Sequence, residues 1–110
     1  MNSVSPEARL EAEIQADGLT AMRITPDHID KLCGPVENAK FHVFPVTTLT
    51  VCCIELPNGF AVVGESACAS PENFNADMGK KIAFANAREK VWALEGYALR
   101  GALWACAQTA

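Results

Sequence analysis

The sequence predicts an α+β fold: a small antiparallel sheet, made of a β-hairpin and one short strand, packed on a long C-terminal helix and preceded by two short helices. Three observations carry that prediction. Asn58-Gly59 separates two β-rich stretches, Thr48–Leu56 and Phe60–Ser66, and Asn-Gly is the strongest short hairpin signal because a primed turn needs positive φ at both central residues. Apolar residues recur at helical spacing from Asn75 to about Gln108. Proline directly follows Ser5 and Thr25, the pattern of a capped helix start.

Residues 1–40 form a helical cover over the rest of the chain, or an arm gripping another subunit. Ser5-Pro6-Glu7 opens a mostly polar helix in which Leu10 and Ile14 fall four apart, ending at Asp17-Gly18. Thr25-Pro26-Asp27 opens a second, carrying Ile29, Leu32 and Cys33 and stopped by Gly34-Pro35.

Residues 41–69 form the hairpin region. Phe41–Phe44 is β-prone but cut by Pro45, which places it at a sheet edge or makes it a short strand. With Asn58 and Gly59 as a two-residue loop, Leu56 faces Ala61, Ile54 faces Val63 and Cys52 faces Glu65 on one side. The other side pairs Val51 with Ser66, Cys53 with Gly64 and Glu55 with Val62. Both sides are mostly apolar. The long helix covers one, and either the N-terminal helices or a second copy of the chain covers the other.

Residues 70–110 form the C-terminal helical region. Ser70-Pro71 breaks the strand, Asn73 and Asn75 are good N-caps, and Asp77 complements the helix dipole. The same junction aims N–H groups and amide side chains at one spot that suits a small anion. Met78, Ile82, Ala85, Trp92, Leu99 and Leu103 form one apolar series; Phe84, Ala87, Val91, Leu94 and Ala98 form a second. Asp77, Lys81, Arg88 and Glu95 make a narrow polar stripe, and Gly96 predicts a kink. So wide an apolar surface predicts a homo-oligomer.

The 110 residues fit one domain, half hydrophobic and one-fifth charged. No apolar run approaches the ~18–20 residues of a membrane span, and no secretory pattern opens the chain, so a soluble cytoplasmic protein without membrane contact is expected. Five cysteines without a C-x-x-C pair suggest neither a disulfide framework nor zinc. His28 and His42 have no ligand-spaced partners, so no metal or cofactor is expected. A net charge of −4 argues against nucleic-acid binding. Its basic excess lies in residues 70–110, where five basic residues face four acidic ones, enough for a few phosphates. No phosphate-binding glycine loop, nucleophile elbow or H-E-x-x-H is present. Glu55, Glu65 and Glu72 read as solvated or paired carboxylates, and an enzyme is not expected.

Thr48-Leu-Thr-Val-Cys-Cys, Pro57-Asn-Gly-Phe, Gly64-Glu-Ser-Ala-Cys, Pro71-Glu-Asn-Phe-Asn, Met78-Gly-Lys-Lys-Ile-Ala, Ala87-Arg-Glu-Lys-Val-Trp and Leu94-Glu-Gly-Tyr follow one another in order. Over about residues 45–100 the chain resembles the small phage-encoded proteins of the gene-product-49/66 family. That family is similar to the first Thoeris anti-defence protein, a phage sponge that binds cyclic ADP-ribose isomers, and in some members cyclic oligonucleotides, without cleaving them. The resemblance implies an oligomer built from dimers, up to a hexamer, inside the host cytoplasm. Its pockets would lie at subunit boundaries and combine an aromatic residue, an asparagine and arginines. In that role Phe74 stacks on adenine, Asn73 or Asn86 reads a base edge or ribose, and Lys81, Arg88 and Arg100 hold the pyrophosphate. Plainer roles stand beside these: Phe74 as a hydrophobic staple, Arg88 paired with Glu95, Lys81 solvated, Arg100 in a surface salt bridge. The other class of function is a protein-interaction module that docks through the apolar helix face.

Overall fold

A computed structural model describes residues 5–18 and 21–109. The N-terminal segments fold as the capping pattern predicts. Ser5 Oγ accepts the Ala8 N–H at 3.0 Å to start α1 (Pro6–Ala16), and Thr25 Oγ1 accepts the His28 N–H at 3.2 Å to start α2 (Pro26–Cys33). Gly34 closes α2 at φ 69°, a conformation that glycine enters without a Cβ clash.

Three strands follow, β1 (Lys40–Val43), β2 (Leu49–Glu55) and β3 (Ala61–Ala67), in an antiparallel sheet of order β1-β2-β3. The hairpin register differs by one residue from the expected one. The Gly59 N–H donates to the Leu56 carbonyl and the Leu56 N–H to the Phe60 carbonyl, both at 2.8 Å, so the loop is Pro57-Asn58-Gly59. Proline is pre-set for the first central position of a type I turn, and of the loop residues only Gly59 takes positive φ, at 91°. The slip exchanges partners along the whole ladder: Cys52 faces Gly64, Cys53 faces Val63 and Ile54 faces Val62.

The helix α3 (Ala76–Thr109) crosses one face of the sheet and is unbroken through Gly96. Its buried stripe is Gly79, Ala83, Ala87 and Val91. Of the two apolar series, Ala87 and Val91 of the second lie in this stripe, while Met78 and Ile82 of the first are exposed. The sheet side explains the choice of small residues. Gly64 faces Ala83 and Ala87 so closely that a Cβ on it would lie 2.3 Å from the Ala83 carbonyl oxygen and 2.2 Å from the Ala87 nitrogen. Only glycine on the strand and alanine on the helix permit that approach, and Cys52, Ile54, Val62 and Val91 close over it.

Ile29 and Cys33 of α2 complete the same core. The N-terminal helices therefore pack on α3, α2 directly and α1 against α2, rather than over the other sheet face. That face carries Val51, Cys53 and the exposed Val63. Of the two covers expected for it, the N-terminal helices or a second copy of the chain, the helices lie elsewhere: α2 has its own place in the core, and its Asp30 and His28 bond Arg88 and Glu95 of α3. Beyond Glu95, α3 leaves the body, with Tyr97 83% exposed and Trp104 59%. The molecule is accordingly 57 Å long, with a radius of gyration of 17.0 Å, against roughly 13 Å for a compact chain of this size. Among the described residues no helix is long and apolar enough to cross a membrane.

Candidate functional site

The junction between β3 and α3 encloses a small, mostly apolar cleft into which a few polar side chains open. Pro71–Asn73 forms one 3-10 turn, after which Asn75 caps α3: its Oδ1 accepts the Met78 N–H at 3.0 Å and its carbonyl the Gly79 N–H at 2.8 Å. The capping role expected of Asn73 or Asn75 thus belongs to Asn75. Asn73 and Phe74 are left to wall a cavity of about 210 Å³ with Thr48, Ser66, Met78 and Gly79. The connecting loop is tied down locally. Thr48 Oγ1 donates to the Cys68 carbonyl, the Cys68 thiol to the Ser70 carbonyl at 3.0 Å, and the Ser70 hydroxyl to Glu72. That last bond holds the Glu72 carboxyl below its usual pKa.

The missing side chain of Gly79 matters to this niche. A Cβ there would sit 2.9 Å from Thr50 Oγ1, a fully buried hydroxyl with no hydrogen-bond partner, and 3.9 Å from the Phe74 ring. Glycine lets α3 settle on Thr50 while Phe74 closes the side. Thr48, Ser66 and Gly79 were not singled out from the sequence. The signal for Ser66 is alternation along β3, which gives its face once the register is known; Thr48 precedes β2, and Gly79 lies within α3, where apolar periodicity passes over a glycine.

The other predicted site residues do not join Asn73 and Phe74. Asn86 donates from Nδ2 to the Glu65 carbonyl at 2.7 Å, and Lys90 from Nζ to the Val63 carbonyl at 2.5 Å. Both bonds satisfy carbonyls on the outer side of edge strand β3, which would otherwise offer a pairing template. Arg88, placed on a solvated stripe beside Glu95, is instead 15% exposed and clamps three helices. Its Nη2 bonds Glu7 at 2.7 Å and its Nη1 pairs with Asp30 at 2.8 Å, while the Trp92 indole N–H reaches the same Glu7 at 3.2 Å. The Arg88 bond holds Glu7 below the usual carboxylate range, and Glu7 raises the Arg88 pKa in return. Glu95, the partner expected for Arg88, binds His28 at 2.7 Å.

Lys81 lines a separate, shallower cleft with Lys80, Asp77 and Phe41. Arg100 lies about 36 Å along α3 from its first residue, at 1.5 Å per residue, and has no ion-pair partner among the described residues. Within one protomer, then, an aromatic ring, an amide and two hydroxyls converge at one niche while the cationic groups lie elsewhere. No cluster of metal-ligating side chains occurs among the described residues.

Comparison with known families matches residues 24–103 to the phage protein (N4 Gp49/phage Sf6 gene 66) family. The chain belongs to this family. The matched region begins at Ile24, so it takes in α2 and β1 as well as the hairpin and α3, a wider span than the resemblance over residues 45–100. This agrees with α2 being part of the core rather than an accessory. No curated protein and no solved structure matches the chain.

Proposed function

We propose that this phage protein is a homo-oligomeric sponge that binds a nucleotide-derived immune signal, of the cyclic ADP-ribose or cyclic oligonucleotide kind, and holds it without cleaving it. The observation that carries the reading is the niche at the β3–α3 junction, where Phe74 offers a stacking face beside the Asn73 amide and the Thr48 and Ser66 hydroxyls. Its lining contains no carboxylate and no imidazole, which suits retention rather than hydrolysis. At about 210 Å³ it is smaller than the ~300–1,000 Å³ typical of a small-molecule site, and in this reading a second copy completes it at a subunit boundary. The phosphate-binding charge falls to Lys81 and Arg100, since Arg88 is held by Glu7 and Asp30, and the base or ribose contact falls to Asn73, since Asn86 is bonded to the Glu65 carbonyl.

The test is recovery. Purified protein is incubated with cyclic ADP-ribose isomers, separated from free ligand and heat-denatured, and the released small molecule is identified. Intact ligand supports the reading; a hydrolysed product favours an enzyme, and no retention removes the sponge. A second reading, docking onto a host or phage protein, is favoured by the exposed Tyr97 and Trp104 on α3. It predicts a monomer by light scattering, with no thermal shift from any cyclic nucleotide.

A further inference from the structure

A second cleft, of about 300 Å³, opens between α1 and α3. We propose that it is a binding site for a small organic monocation, an amine with an apolar body, in which Glu89 takes the charge while Trp92 and the aliphatic walls take the body. The proposal is independent of the nucleotide reading above, since no residue lines both this cleft and the β3–α3 niche.

Local helix geometry builds the walls. On α1, Glu7, Leu10, Glu11 and Ile14 follow one another at intervals of three, one and three, which sets all four on a single face. On α3, Glu89 and Trp92 are three apart and share a face in the same way. Ile24 and Pro26, at the entry to α2, supply a third wall. Two ion pairs hold these walls in position. Glu7 accepts from Arg88 at 2.7 Å and from the Trp92 indole N–H at 3.2 Å, which fixes the ring beside the carboxylate. Farther along α1, Glu11 accepts from both terminal nitrogens of Arg23, at 2.5 and 2.6 Å.

The apolar parts of the walls do not close on each other. None of the residues of α1 is buried: Leu10 is 57% exposed, and Ile14, Ile24 and Trp92 are only half-buried. A helix this short is marginal by itself in water, and this one faces its neighbours across a gap. An apolar body in the gap takes these side chains out of water together, and that burial favours binding. The space holds roughly ten water-sized groups at about 30 Å³ each. It stands at the lower end of the ~300–1,000 Å³ usual for small-molecule sites.

Charge selects the ligand. Three carboxylates line the cleft, and guanidinium groups match two of them, Glu7 through Arg88 and Glu11 through Arg23. Glu89 is exposed and has no ion-pair partner among the described residues. Arg88 is shared with Asp30, which makes the region more negative still. One carboxylate is thus left over beside an indole ring, whose face also attracts cations. An ammonium group on a short alkyl stem satisfies Glu89 and lets a ring or chain fill the apolar space. An anion would meet three carboxylates, and a neutral molecule would gain only the apolar burial.

Fluorescence of the full chain carrying Trp104→Phe tests this, because Trp92 is then its single indole. The protein is titrated with phenethylamine, with phenethyl alcohol as the neutral isostere and with hydrocinnamate as the anion, and thermal unfolding is followed in parallel. The amine should change Trp92 emission saturably and raise Tm. The alcohol should bind at least about tenfold more weakly, and the anion should not bind. Glu89→Gln alters an exposed position and should leave the ligand-free Tm in place; it should weaken the amine at least about tenfold without changing the affinity for the alcohol. Glu13→Gln, at an exposed glutamate of α1 outside the cleft, should change neither. Equal affinities for amine and alcohol, no saturable amine binding, or equal losses from Glu89→Gln and Glu13→Gln would each overturn the proposal.

Discussion

Gly64→Ala is the sharpest test of how the sheet and α3 fit. The added methyl would lie 2.2 Å from the Ala87 nitrogen, 2.3 Å from the Ala83 oxygen and 2.8 Å from the Ala87 Cα. All three are backbone atoms, so no rotamer change can clear the clash, and α3 must withdraw by more than 1 Å to restore ordinary contact. The withdrawal opens the layer holding Cys52, Ile54, Val62 and Val91. Overpacking alone costs about 1–3 kcal/mol, and the loosened layer takes the expected loss to about 3–5 kcal/mol. That is a fall in Tm of at least ~10 °C for a domain of this size. Alanine is the better strand residue by about 0.5–1 kcal/mol, so intrinsic preference has the opposite sign and cannot produce the loss. Thermal unfolding at fixed protein concentration reads the effect, and adding Ala87→Gly should not rescue it because the Ala87 side chain is not what collides. A Gly64→Ala protein melting within ~2 °C of the wild type would refute the close approach.

Three further outcomes follow from particular contacts. Arg88→Met leaves Glu7 and Asp30 unpaired and should lower stability by about 2–3 kcal/mol in urea; a variant that loses ligand but keeps its urea midpoint would return Arg88 to the binding residues. Glu7 has a lowered folded pKa, so its contribution is complete above its ordinary value and is lost as pH falls through the lower folded value. Melting from pH 7 to pH 3 should therefore show an acid limb that Glu7→Gln flattens, and an unaltered limb would count against the clamp. Val46, at φ 58° in the turn after β1 and fully exposed, should give about 1 kcal/mol of added stability when changed to Asn, which tolerates the left-handed region; a lower melting temperature would contradict this.

The helix starts were legible because each is a local event. A hydroxyl or amide one residue ahead of the first turn satisfies a free N–H whatever the rest of the chain does, and Ser5, Thr25 and Asn75 do so. The hairpin was legible as a hairpin but not in register, because Pro57 and Gly59 together favour a three-residue loop that Asn58-Gly59 alone does not announce. The stripe of α3 that meets the sheet was hidden for a different reason. Apolar periodicity weights Met78 and Ile82 above Gly79 and Ala83, whereas close approach selects the small ones. The partners of Arg88 and Asn86 were not legible because a polar residue on a helix reads the same whether it faces solvent, a ligand or another element. Only the tertiary placement of Glu7, Asp30 and the β3 edge separates those cases.

That placement constrains how a ligand's charge is met. Up to Glu95, α3 has neighbours, and its Arg88, Asn86 and Lys90 are bonded to them. Arg100 lies beyond, about 36 Å from the start of α3, and cannot reach the Asn73–Phe74 niche of its own protomer. If the two serve one ligand, the guanidinium comes from another copy, and this makes the site separable by mixing. Phe74→Ala and Arg100→Ala should each abolish retention of cyclic ADP-ribose isomers with the assembly mass unchanged. Co-assembled in equal amounts, they should regain about a quarter of the sites, one half times one half, because a boundary pairing the intact Phe74 of one copy with the intact Arg100 of the other is complete. No recovery on mixing, from assemblies shown by native mass spectrometry to be mixed, would place both residues in the same protomer's site or remove one of them from it.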